Sequence, residues 1–284
     1  MSAALTSLEV RREACGEARS VLEPVPAEPP FYAPVADEIA VFAAAHARRL
    51  PILLKGPTGC GKTRFVRHMA ARLGRPLVTV ACHDELSATD LVGRFLIEGG
   101  DTVWQDGPLS AAVRAGAICY LDELVEARTD TVVVIHPLAD DRRVLPIDKR
   151  GELLHAHPAF QLVVSYNPGY RSALKDLKPS TRQRFISLAL GYPPAPIEAA
   201  ILRQEARIDE AVAERLVRLG MQVRRLERQG LTEVASTRVL VQAGSLIHAG
   251  LDPARACESA IAHALTDEPD LAAAIVELIR STFP

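Results

Sequence analysis

The apolar positions of the chain follow two regimes. Between residues 37 and 49, Ile39, Ala40, Phe42, Ala43 and Ala44 recur at helical spacing. The run PILL at 51–54 is then continuous, short and stopped by a glycine, as in a strand buried on both faces. Similar runs at 77–80, 117–121 and 160–166 are separated by stretches of helical character. Alternating β and α units joined by right-handed crossovers into a parallel sheet are the economical reading. Beyond Pro193 only helical spacing remains: Val212, Leu216, Leu219, Val223 and Leu226, then Val239, Leu240, Leu246 and Ile247, then Leu271, Ile275 and Leu278. Upstream, the proline-rich EPVPAEPP cannot continue a helix, which predicts a mobile leader with structure beginning near Phe31. The expected organisation is a flexible arm at 1–30, an α/β domain at 31–192 and a small all-helical domain at 193–284.

Composition narrows the partners. The 284 residues are 48% hydrophobic and 24% charged, enough for a sizeable core in one large or two modest domains. With 33 basic against 35 acidic side chains, the chain lacks the overall basic field of a protein held on nucleic acid by phosphate contacts, so no nucleic-acid partner is expected. No apolar segment follows the first charges, and no run reaches the roughly 18 residues a membrane span needs. A cytoplasmic protein without a membrane span is the expectation. Cys15, Cys60, Cys82, Cys119 and Cys257 form no C-x-x-C pair and read as reduced, mostly buried thiols. His83, His136, His155 and His157 fit no common metal-ligand spacing and read as structural.

The most specific chemistry follows the first strand. GPTGCGKT, residues 56–63, matches G-x-x-x-x-G-K-[ST] and opens a helical segment. In such a loop, glycines let successive N–H groups converge on phosphate oxygens at the positive end of a helix. Gly56, Pro57, Thr58, Gly59, Cys60 and Gly61 form the expected cradle, Lys62 neutralises the β and γ phosphates, and Thr63 ligates magnesium. ATP and Mg2+ are the implied ligands.

Two later strands end in polar residues at the edge where such sheets bind ligands. ICYLDE supplies Asp122 as a metal-side acid, beside Thr63, and Glu123 as a base to polarise water for attack on the γ phosphate. FQLVVSYN supplies Asn167, compatible with holding the attacking water, with touching the γ phosphate, or with forming the turn before Pro-Gly. KPSTRQRF, residues 178–185, presents Arg182 and Arg184, which suit either a surface carboxylate or a phosphate. GRFLIEGGDTVWQDGPL at 93–109 and RRVLPIDKRGELLHAHPAF at 142–160 read as hairpins, turning at Gly99-Gly100-Asp101 and at 148–151.

GPTGCGKTRF, ACHDELSATDLVGRF, VWQDGPLSAAVRAGAICYLDE, VVSYNPGY and LKPSTRQRF together resemble the MoxR-type AAA+ ATPases, within them the CbbQ and NorQ/NirQ group, from Phe31 onward. The resemblance implies an α/β P-loop AAA+ core followed by a helical lid, assembled into a ring, usually a hexamer, with nucleotide between subunits. It also implies a partner with a von Willebrand factor A domain, of CbbO or NorD type. The implied activity is ATP-driven remodelling: reactivation of inhibited ribulose bisphosphate carboxylase for CbbQ-type members, or maturation of nitric oxide reductase for NorQ-type members. The sequence reading leans to the carboxylase.

On matching positions, the resemblance makes 56–63 the Walker A loop, Asp122 and Glu123 the Walker B acids and Asn167 the sensor-one residue. Arg182 and Arg184 become arginines that reach the γ phosphate of a neighbouring subunit, and Arg238, in the STR triplet, becomes the sensor-two arginine of the lid. Many MoxR members carry Asp-Arg-Phe where this chain has Gln183-Arg184-Phe185, which leaves open which arginine carries the larger share. The hairpins correspond to the insertion in the second helix, which faces the target, and to the hairpin before sensor one. A small-molecule kinase or simple hydrolase, and a nucleotide-gated adaptor, are the competing classes. The STR-bearing helical domain disfavours the first, Glu123 and the arginine pair the second.

Overall fold

The computed structural model describes residues 22–168, 177–226, 231 and 233–284. Cys15 and the turn residues Gly169 and Tyr170 lie outside them. Helix α1 (Glu38–Ala47) precedes strand β1 (Ile52–Lys55), helix α2 (Lys62–Arg72) and strand β2 (Leu77–Ala81). Then come α3 (Ala88–Val92), the hairpin β3 (Gly93–Glu98) and β4 (Asp101–Asp106), α4 (Pro108–Ala115), β5 (Ile118–Asp122) and α5 (Thr129–Val134). A second hairpin, β6 (Val144–Ile147) and β7 (Glu152–His155), leads to β8 (Gln161–Tyr166), the short α6 (Pro179–Arg182) and β9 (Ile186–Ala189).

The five-stranded sheet has the order β2-β5-β8-β1-β9, and every neighbouring pair in it is parallel. Its central strands β1, β5 and β8 are buried on both faces, and the twofold alternation of side chains divides them between two cores. Leu53, Val78, Cys119, Leu121, Leu162 and Val164 pack on one side. Ile52, Leu54, Leu77, Ile118, Tyr120, Val163 and Leu188 pack on the other, with Phe42, Phe65 and Met69 of α1 and α2. Burying one such side chain contributes about 1.5–3 kcal/mol before entropy is counted.

The C-terminal region contains α7 (Ala195–Ala206), α8 (Glu210–Arg225), α9 (Thr237–His248), α10 (Pro253–Cys257), a π turn at Glu258–Ala262, α11 (His263–Leu265) and α12 (Pro269–Thr282). It forms its own core around Leu202, Leu216, Leu219, Val223, Leu240, Ile261, Ile275 and Ile279. Among the described residues no helix is long and apolar enough to cross a membrane.

The two hairpins stand where the apolar pattern and turn residues predict them, with Phe95 opposite Trp104 and Leu145 opposite Leu154. Of the described cysteines, Cys82, Cys119 and Cys257 are buried and Cys60 is half-buried. Two features go beyond the expected pattern. Strand β9 is not among the expected strands; of its four residues only Leu188 is buried, because it is the edge strand and its other side chains meet little protein. Structure also begins before Phe31. Glu23 exchanges backbone hydrogen bonds with Leu77 at 2.7 and 3.2 Å, extending the edge of β2, and the Pro30 carbonyl lies 2.9 Å from His68 Nδ1. Residues 22–30 are thus tied to the domain at two points, through Glu23 on the sheet edge and Pro30 on α2, while their prolines remove donors and leave Glu23 as the single paired residue.

Candidate functional site

The sheet order sets the carboxyl ends of β5, β8 and β1 side by side; β5 and β8 end in the polar residues expected from the sequence, and β1 leads into the glycine-rich loop. Between β1 and α2 the loop turns through two left-handed glycines, Gly59 at φ 70° and Gly61 at φ 100°. A Cβ on Gly59 would also lie 2.5 Å from the Ser236 side chain, so the close approach of the helical domain requires glycine there.

Lys62, the first residue of α2, is buried, and its ammonium donates to Gly56 O (2.8 Å), Pro57 O (3.0 Å) and Asn167 Oδ1 (2.5 Å). Burial holds its pKa below the ordinary lysine value; Cys60, Asp122 and Glu123 oppose that shift, while Arg238 adds to it. Thr63 Oγ1 donates to Asp122 Oδ2 at 3.3 Å. The other oxygen of Asp122 accepts from Tyr120 OH (2.6 Å) and Ser165 Oγ (2.5 Å). Burial and the Asp122 charge push the Tyr120 phenol up, so it remains a donor at neutral pH.

Glu123 has φ 57° and ψ 48°, a left-handed backbone that costs a non-glycine residue about 1–2 kcal/mol. Its N–H donates to Ser165 Oγ at 3.0 Å, so Ser165 orients both acids. Asn167 Nδ2 donates to Glu123 Oε1 at 2.9 Å and to Thr58 Oγ1 at 3.3 Å. One amide therefore bridges the loop lysine, the loop threonine and the second acid.

These groups open into a cavity of about 560 Å³ whose lining includes Thr58, Gly59, Cys60, Gly61, Lys62, Thr63, Asp122, Glu123 and Arg238. Its apolar end is walled by Phe31, Tyr32, Val35, Leu190, Ile201 and Val241. Sequence reasoning missed this wall. The turn at 32–36 is held by buried Glu38, which accepts from Tyr32 OH (2.9 Å), Val35 N (2.8 Å) and Ala36 N (2.8 Å). The Phe31-Tyr32 pair, a few residues upstream of helix α1, was the available signal. Also missed was Tyr192, whose hydroxyl donates to Thr58 O at 3.0 Å.

Arg182 and Arg184 are not brought to this cavity; neither is among its described lining residues. Arg184 donates to Ser180 O at 2.5 Å, and its charge helps hold the His136 and Asp140 pKa values down, behind burial and Arg142 respectively. Its Nε is buried without a hydrogen-bond partner among the described residues.

The donor set fits a nucleotide with a magnesium ion: a buried ammonium at a helix start, glycine turns that a Cβ would block, and paired hard oxygens from Thr63 and Asp122. A parallel sheet with a phosphate loop after its β1, acids at the end of β5 and a helical domain over the loop defines a P-loop protein of AAA+ architecture. Residues 51–185 match the AAA domain (dynein-related subfamily), and residues 198–282 match the CbbQ/NirQ/NorQ C-terminal domain. The chain is 56% identical to the protein CbbQ of Hydrogenophilus thermoluteolus over 254 residues, covering 89% of this chain and 95% of the relative. It is 57% identical to the protein NorQ of Paracoccus denitrificans, covering 89% and 94%. It is 58% identical to the denitrification regulatory protein NirQ of Pseudomonas aeruginosa, covering 88% and 96%. The chain belongs to the CbbQ/NirQ/NorQ family of AAA+ proteins. A RuvB mutant from Thermotoga maritima shares the fold, with TM-score 0.53 and 17% identity over 86% of this chain and 69% of that one.

Proposed function

We propose that the protein hydrolyses ATP with Mg2+ in a ring of identical subunits, usually a hexamer in its relatives, and uses the energy to remodel a target protein. The bridge from Lys62 through Asn167 to Glu123 carries this reading, because it joins a phosphate-neutralising group to a carboxylate placed to take a proton. Bound magnesium would supply charge neutralisation at the phosphate oxygens, held through Thr63 and Asp122. Lys62 and the 56–61 backbone bind the phosphates. Glu123 accepts the proton of the attacking water, and Asn167 fixes the carboxylate's orientation. Arg238, in the first turn of α9, closes on the nucleotide of its own subunit. Arg182 and Arg184 act on the nucleotide of a neighbour; their separation from their own cavity supports a role in trans. A head-to-tail interface of this kind closes into a ring rather than an isologous dimer.

The partner in this reading is a von Willebrand factor A domain protein of CbbO or NorD type, and the target is ribulose bisphosphate carboxylase, reactivated from its inhibited state in the cytoplasm. Activation of nitric oxide reductase is the second reading. The identities of 56%, 57% and 58% to CbbQ, NorQ and NirQ relatives favour neither target. Lys62→Ala is expected to abolish ATP binding, and Glu123→Gln to keep binding while losing about 10²-fold or more in turnover. Full hydrolysis by Glu123→Gln would refute the assigned base. Turnover stimulated by carboxylase or by reductase, each with its partner present, separates the two targets.

A further inference from the structure

We infer that Tyr192, Arg224, Glu198 and Thr237 form a positioning relay that locks the helical domain onto the phosphate loop and sets Arg238 in place. The relay deepens the ATP-site reading and rests on it. Glu198 on α7 is fully buried, and a carboxylate there persists only when its lone pairs are satisfied. Arg224, at the end of α8, grips both its oxygens, at 2.6 and 2.9 Å, and donates its Nε to Ala235 O at 2.7 Å. Thr237 Oγ1 donates to the same carboxylate at 2.6 Å. Glu198 thus fixes the end of α8, the 235–237 turn and the first residue of α9, immediately before Arg238.

Both ends of this network reach the phosphate loop. The Arg224 guanidinium sits 4.2 Å from the centre of the Tyr192 ring, and Tyr192 donates to the Thr58 carbonyl at 3.0 Å. Ser236, which caps α9 by accepting from Val239 N at 3.4 Å, lies against Gly59. A buried ion pair adds little stability over an apolar filling of the same shape. Here its geometry instead aligns one side chain, Arg238, with one loop. Any change in the path of the loop at Thr58 or Gly59 is transmitted to the start of α9, and the reverse.

The test is the release rate of a fluorescent ATP analogue, measured by stopped flow on the full chain with magnesium, with thermal melting of each variant beside it. Tyr192→Phe removes one hydroxyl and keeps the ring under Arg224. Thr237→Val keeps the shape and removes the other hydroxyl, whereas Thr237→Ser restores it. Loss of one hydrogen bond, to a neutral carbonyl in Tyr192→Phe and to the Glu198 carboxylate in Thr237→Val, predicts release at least about threefold to tenfold faster in both, with Thr237→Ser near wild type. In an Arg238→Ala background, Tyr192→Phe should add less than about twofold, because both act through one side chain. Melting should fall by no more than about 4 °C. Release within about twofold of wild type in both variants, or full multiplication of the Tyr192→Phe and Arg238→Ala effects, overturns the relay. Release reads the relay in a protein that binds ATP without hydrolysing it, so a failed hydrolysis assay leaves this outcome separate.

Discussion

Replacing Asn167 with alanine tests the centre of the site with one small deletion. The amide bonds to the Lys62 ammonium at 2.5 Å, to Glu123 at 2.9 Å and to Thr58 at 3.3 Å. Its loss affects the two charged groups unequally. Lys62 retains the carbonyls of Gly56 and Pro57 at 2.8 and 3.0 Å, so it is not orphaned, and ATP affinity should change by less than about threefold. Glu123 loses the only side-chain donor that the structure places on its carboxylate among the described residues. A hydrogen bond to a charged group contributes about 1.5–3 kcal/mol when shielded, but Glu123 is exposed and screening reduces this toward about 1 kcal/mol. At about 1.4 kcal/mol per tenfold in rate, turnover should fall about fivefold to tenfold. Single-turnover hydrolysis and analogue titration on the same preparations separate the two effects. In a Glu123→Gln background the further loss should nearly vanish, since the amide acts through that carboxylate. Turnover within about twofold of wild type, or a loss confined to affinity, would show that Asn167 does not orient the base.

Three further outcomes follow from the same geometry. Iodoacetamide at mildly alkaline pH should modify Cys60, which lines the cavity and is only half-buried although burial pushes its thiol up, and ATP with magnesium should slow that labelling; buried Cys82 and Cys257, whose thiols are pushed up to about 12, should react far more slowly when digests are analysed by mass spectrometry. Because phosphate binding favours protonated Lys62, whose pKa lies below 10.5, affinity should be full below that depressed pKa and decline as pH rises through it; analogue titrations that stay flat up to about pH 10.5 would contradict this. Ser165→Ala takes a donor from Asp122 and an acceptor from Glu123 N–H, so the magnesium concentration for half-maximal turnover should rise at least about threefold, while an unchanged magnesium dependence would assign Ser165 to packing alone.

The parts of the site legible from sequence are those whose chemistry is local. A phosphate loop must carry glycines, a lysine and a hydroxyl in one short run, so 56–63 declares itself, and Asp122, Glu123 and Asn167 announce themselves by ending apolar strands. What stayed hidden depends on packing between distant segments. Strand β9 is only four residues, ISLA, and a short apolar run of that length cannot be told from a buried helix segment by periodicity. Tyr32 and Glu38 build the apolar wall through a turn that no periodicity marks. Glu198 and Arg224 look like ordinary surface charges on amphipathic helices until the fold buries their pair. The sheet order also had no sequence signature beyond parallel pairing, although it is what brings Asp122 and Asn167 to the loop.

A site completed between subunits depends on the arginine pair that lies outside the subunit's own cavity. The decisive measurement is single-turnover ATP hydrolysis by the Arg182→Ala/Arg184→Ala double variant, at saturating ATP and magnesium and at a concentration where sedimentation finds the ring intact. An arginine supplied by a neighbour meets charge that develops only in the transition state and is worth about 10³ to 10⁵ in rate, whereas an exposed ion pair contributes at most about 1 kcal/mol to stability and nothing to turnover. The predicted result is nucleotide affinity near wild type with hydrolysis reduced about 10³-fold or more. Hydrolysis within about threefold of wild type in an assembled ring would return both arginines to the surface and contradict a site completed by a second copy of the chain.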